Sequence, residues 1–104
     1  MPAQRIAISE LKKKLDTNKK LILVDVREKK EIKEGGAIPG AIHIPFAQIA
    51  KRMYELPKNA EIVFYCGGGG RASRAAEALL SAGYKTVEFC GISDWKKEGL
   101  PTEL

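Results

Sequence analysis

The sequence predicts an α/β fold: a five-stranded parallel sheet with helices on both faces, formed as one domain over residues 1–104. Three observations predict it. Strand-like and helix-like segments alternate from end to end, the pattern of repeated βαβ units. Leu21-Ile22-Leu23-Val24-Asp25-Val26 and Ile62-Val63-Phe64-Tyr65 are near-continuous apolar runs, which suit strands covered on both faces. A length of 104 residues with 44% hydrophobic and 30% charged content allows a single modest core.

The elements follow in order. Arg5–Ile8 is a short edge strand. Ser9 is placed to cap a helix running through Leu11 and Leu15 to the turn-favouring Asp16-Thr17-Asn18. Leu21–Val26 is the second strand, and Lys29–Glu34 a short charged helix broken by Gly35-Gly36. Ala41–Ile44, bounded by Pro39-Gly40 and Pro45, is the third strand. Phe46, Ile49, Met53 and Leu56 are spaced for one face of a helix over Phe46–Leu56. Pro57-Lys58-Asn59 turns the chain into the fourth strand, Glu61–Tyr65, which delivers Cys66. Arg71–Ala82 is the strongest helix, with Ala72, Ala75, Ala76, Leu79 and Leu80 on one stripe and Gly83 as its stop. Thr86–Phe89 is the fifth strand, and Ser93–Glu98 a last helix closed by Gly99.

Composition excludes several functions. The net charge of +5 comes largely from lysines. Lys12-Lys13-Lys14, Lys19-Lys20 and Lys51 read as solvated helix faces, with a field for small anions or an acidic partner as the alternative. No basic stripe is interleaved with aromatics, so nucleic-acid binding is not expected. Two cysteines and one histidine without a C-x2-C pair offer no metal site, and nothing calls for a cofactor. The apolar runs are too short to span a bilayer, and no signal peptide is recognised at Met1-Pro2-Ala3-Gln4-Arg5. A free thiol without an export signal points to the cytoplasm.

The chemistry concentrates in Cys66-Gly67-Gly68-Gly69-Gly70-Arg71. In open α/β sheets ligands sit beyond the carboxyl ends of strands, and Cys66 occupies such an end. Four glycines let successive N–H groups converge on an anion, and the following helix start adds unpaired N–H groups. Those donors favour a thiolate, so Cys66 is the expected nucleophile and Gly67, Gly68, Gly69, Gly70 and Arg71 its anion cradle. The bland alternative is a buried cysteine followed by a flexible turn. Cysteine phosphatases and similar arsenate reductases use Cys-x5-Arg, whereas here Arg71 stands five residues after Cys66 and Ala72 six after it. Their phosphate-sized loop is one residue longer. A P-loop is excluded because no Lys-Ser or Lys-Thr follows the glycines.

Four motifs in order resemble the rhodanese family of sulfurtransferases. Leu23-Val24-Asp25-Val26-Arg27-Glu28 looks like that family's D-x-R-E strand end. Ile38-Pro39-Gly40-Ala41-Ile42-His43-Ile44-Pro45 is similar to its I-P-G-A-x-x-I-P segment. Tyr65-Cys66 through Ala76 matches its Cys-x4-Arg loop and helix, and Gly91-Ile92-Ser93-Asp94-Trp95 with Gly99-Leu100-Pro101 its C-terminal signature. The resemblance implies a rhodanese-like three-layer sandwich. It also implies two-step sulfur transfer from a small anionic donor such as thiosulfate, through a Cys66 persulfide, to cyanide, a thiol or a protein cysteine. A sulfur-carrier or non-catalytic binding module is the alternative reading.

Around this core, Arg71 is expected to bind an anionic donor or its leaving group, with Arg74 a second option. Asp25 and Arg27 read as a hydrogen-bonded pair supporting the loop from the same sheet edge. His43 lies where the family varies, so general-base duty is not expected of it. Ala37 stands where the family usually has histidine, and Cys90 where it often has glycine. Cys90 is either a small buried residue or a resolving thiol for Cys66. Trp95 and Phe89 are expected in the core.

Overall fold

A computed structural model describes residues 2–18 and 20–104; Lys19, one of the lysines read as a helix-surface charge, and Met1 lie outside the described residues. The sheet has five strands, all parallel, in the order β1-β5-β4-β2-β3: β1 Gln4–Arg5, β2 Ile22–Asp25, β3 Ile42–His43, β4 Glu61–Cys66 and β5 Thr86–Gly91. The helices are α1 Ile8–Thr17, α2 Lys29–Gly35, α3 Ile49–Arg52, α4 Gly70–Ser81 and α5 Ile92–Lys97. The α/β architecture with helices on both faces is therefore as expected. No helix among the described residues is long and apolar enough to cross a membrane.

Alternation along the central strand builds two cores, because successive side chains point to opposite faces. Ile62, Phe64 and Cys66 face one side with Ile49, Ala72, Ala75, Ala76 and Leu79, so α3 and α4 cover it. Val63 and Tyr65 face the other with Ile8, Leu11, Ile92 and Trp95, so α1 and α5 cover that one. The paired register places Tyr65 beside Cys90 and Cys66 beside Gly91.

Element ends differ from the sequence reading where tertiary contacts decide. The first strand is only Gln4–Arg5, and α1 starts at Ile8, because Ile8 and Leu11 are the first residues spaced to bury under the sheet. Ser9 thus lies inside the helix, and Ala7 is the uncapped N-cap. The segment over 46–56 is not one helix: a 3₁₀ turn at Phe46–Gln48 leads into α3, and a second at Met53–Glu55 ends it. The Tyr84 hydroxyl lies 2.7 Å from the Met53 carbonyl and 2.6 Å from that of Leu56, occupying acceptors that a continuing helix would have used. The fourth and fifth strands run on to Cys66 and Gly91, placing the loop directly at the sheet edge.

Candidate active site

Cys66 ends β4 beneath the first turn of α4, and only 2% of it is exposed. The first N–H groups of a helix have no partner within it. Here two amides are spent on sulfur: Gly69 N–H donates to Cys66 Sγ at 3.1 Å, and Ala72 N–H at 3.4 Å. Ala72, outside the expected cradle, is thus part of it. The amides of Gly67, Gly68, Gly70 and Arg71 donate no hydrogen bond to another described residue. The cradle is the end of a helix more than a ring of glycine amides.

The glycines are not equivalent. Gly69 alone of the four lies in the left-handed region (φ 114°), turning the chain into α4. A Cβ on Gly68 or Gly70 would meet nothing within 4 Å, and both residues are exposed. Their bareness keeps the approach to the sulfur open without being needed for the backbone path.

Three neighbours fix the loop, and none of them is expected there from the sequence. Ser93 N–H, in the first turn of α5, donates to the Gly67 carbonyl at 3.1 Å. Arg5 of β1 donates from Nη2 to the Gly68 carbonyl at 3.2 Å, stacks over Phe89 at 4.9 Å and lies 3.5 Å from Asp94. Arg71 crosses to α2, where its Nη1 and Nη2 each lie 2.8 Å from a Glu31 carboxylate oxygen. The hydrogen bonds to Arg71 hold the Glu31 carboxyl at about 2, so it is ionised throughout the neutral range. The hydrogen bonds to Glu31, and its charge, hold the Arg71 guanidinium above its ordinary value. The sequence signal for Glu31 was local only: Glu28-x-x-Glu31 is a capping box for α2. Arg74 is exposed and makes no ion pair among the described residues.

Asp25 and Arg27 do pair, but behind the sheet rather than under the loop. Asp25 is in register with Tyr65, on the face opposite Cys66. Arg27 Nη2 donates to Asp25 Oδ2 at 2.8 Å and to the Gly36 carbonyl at 2.8 Å, and the guanidinium lies over the Tyr65 ring at 5.6 Å. The pair therefore holds the segment 36–38. His43 is also structural: its Nε2 lies 2.6 Å from the Arg27 carbonyl, which can only accept, so that nitrogen carries the proton.

Cys90 shares the Tyr65 face, away from Cys66, and both cysteines are free. Burial pushes its thiol up to about 12. Cys90 is expected to resist iodoacetamide in the native protein and react only on unfolding, and Cys90→Ser to leave oxidant sensitivity unchanged. Peptide mapping after labelling checks this, and native labelling of Cys90 would revive a redox role.

This architecture matches known proteins. The family model described as "Rhodanese-like domain" covers residues 7–98. The chain is 37% identical over 102 residues to the Bacillus subtilis protein YtwF, covering 97% of this chain and 98% of that one. It is 38% identical over 93 residues to a sulfurtransferase of Allochromatium vinosum, covering 88% and 86% of the two chains. A rhodanese-related protein of Thermoplasma volcanium superposes with a TM-score of 0.83 at 28% identity, covering 94% of this chain and 95% of that one. By the family match, the identities and the shared fold, the chain belongs to the rhodanese-like domain family.

Proposed function

We propose that this protein is a sulfurtransferase in which Cys66 carries sulfane sulfur from a donor such as thiosulfate to a thiophilic acceptor. The observation that carries the reading is the Cys66 sulfur set under a helix start with the Gly69 and Ala72 amides aimed at it. In the first step the Cys66 thiolate attacks the outer sulfur of thiosulfate. A new S–S bond forms, the donor's S–S bond breaks, and its electron pair leaves with sulfite. In the second step cyanide, a thiol or a protein cysteine attacks the terminal sulfur, and Cys66 departs as the thiolate. Covalent catalysis thus divides one transfer into two easier ones. The loop amides not engaged within the protein support charge on the outer sulfur. A thiolate cycle of this kind suits a reducing compartment such as the cytoplasm.

Intact-protein mass spectrometry after thiosulfate treatment tests the reading. The expected gain is one sulfur atom, about 32 Da, located on the Cys66 peptide and absent from Cys66→Ser. Cyanide should then remove it as thiocyanate over many turnovers. Loading that discharges only to a protein thiol would identify a sulfur carrier instead. An unmodified wild type across several sulfur donors, or phosphate-ester or arsenate turnover well above background, would overturn the proposal.

A further inference from the structure

Two guanidinium groups touch the Cys66 loop, and each faces a carboxylate. Arg5 is 3.5 Å from Asp94, a loose contact between half-exposed side chains. Arg71 is held by Glu31 through two 2.8 Å bonds. Glu31 Oε2 also accepts the Glu28 N–H at 2.8 Å, so the carboxylate is fixed from its own helix as well. Arg71 Nη2 stands 3.9 Å from where a Cβ on Gly67 would be, at the rim of the thiol. No hydrogen bond from Arg71 Nε to a described residue is present. The guanidinium therefore gives two donors to Glu31 and keeps others for a ligand. With Glu31 36% exposed at its side chain, the pair reaches solvent beside the loop. For all the chain's net charge of +5, each of these two arginines is matched by a carboxylate.

We propose that Glu31 determines donor specificity: by cancelling Arg71 at the mouth, it disfavours doubly charged sulfur donors relative to singly charged ones. This rests on the sulfur-transfer reading above and deepens it: among its donors, singly charged ones such as thiosulfonates are favoured over doubly charged thiosulfate. In water-like surroundings a unit charge ~7 Å from the donor changes its attraction about threefold per unit of donor charge. Removing the Glu31 charge therefore acts once on a monoanion and twice on a dianion.

The test measures the rate of Cys66 sulfur loading at low donor concentration with thiosulfate and with benzenethiosulfonate. The ratio of the two rates within one variant is insensitive to its folded fraction. Glu31→Gln is expected to raise the thiosulfate-to-thiosulfonate ratio about threefold at low salt, and the gain should vanish near 1 M salt, where screening reaches ~3 Å. Glu31→Asp, which keeps the charge, should retain the wild-type ratio. An unchanged ratio in Glu31→Gln, a shift that persists at high salt, or an equal shift in Glu31→Asp would overturn the inference while leaving sulfur transfer standing. A wild type that loads from neither donor would overturn the sulfur-transfer reading, and this inference with it.

Discussion

Asp25→Ala should destabilise the fold by about 3–5 kcal/mol, the cost of stranding one partner of a buried ion pair. Arg27 is 4% exposed and Asp25 1%, so water cannot replace the lost carboxylate. Asp25 accepts the Arg27 backbone N–H at 2.9 Å, Nε at 3.1 and 3.2 Å, and Nη2 at 2.8 Å. Burial pulls the Arg27 pKa down, but the Asp25 hydrogen bonds and charge more than offset this. Without Asp25 the burial penalty is opposed only by the Gly36 carbonyl and Tyr65. The damage spreads through Tyr65, whose hydroxyl accepts the Ile38 N–H at 3.0 Å and is held neutral by burial and by Asp25. Ile38 follows Ala37, which bridges to Glu103, so the chain's end loosens too. For a domain whose total stability is about 5–15 kcal/mol, this is a large share. Urea unfolding should show a lower midpoint with an unchanged slope. Because the cluster lies behind the sheet from Cys66, sulfur loading per folded molecule should persist. A loss below ~1 kcal/mol would mean that Arg27 is not stranded, the Gly36 carbonyl and the Tyr65 ring sufficing for its charge.

That cluster also shows what the sequence could and could not disclose. Asp25 and Arg27 were legible as a pair, two residues apart at a strand end. Their face was not, since it depends on the register of β2 against β4. The same limit hid the face of Cys90, which becomes plain only once it stands beside Tyr65. The parallel sheet was legible because buried strands carry their apolar character in consecutive residues. The helix over 46–56 was misread because its apolar spacing is compatible with 3₁₀ turns, and Tyr84, about thirty residues on, decides the matter. Cys66 and the loop were legible from local chemistry. Glu31 and Arg5 reach it across 40 and 63 residues; Arg5 carries no local mark, and the capping box at Glu31 speaks only of its own helix. The four glycines looked alike in sequence, but φ and the space above each Cα separate them.

That separation leads to the largest expected effect on activity from a residue carrying no reactive group: Gly91→Ala should slow sulfur loading by about a hundredfold, the scale on which a 1 Å misplacement acts. Gly91 is in register with Cys66, and the loop folds back across it. An added Cβ would stand 2.8 Å from the Gly67 carbonyl oxygen, 2.9 Å from the Gly68 carbonyl carbon and 3.0 Å from its Cα. All three are backbone atoms, so the loop itself must retreat. Retreat would pull Gly67 from the Ser93 amide and shift the Gly69 amide away from sulfur. Strain at Gly91 itself is not the cause, because its φ of −122° suits alanine. Gly69→Ala should fall between extremes: its φ of 114° is costly for any side chain, but the clash at 2.7 Å is with the movable end of Arg5. Gly68→Ala and Gly70→Ala add a methyl to open space outside the left-handed region, and loading should stay within about twofold of wild type. Measured loading rates should therefore rank Gly91→Ala as most damaging, then Gly69→Ala, with the other two close to wild type. If Gly68→Ala proved as damaging as Gly91→Ala, bare backbone rather than close packing beneath the loop would be what the sulfur requires.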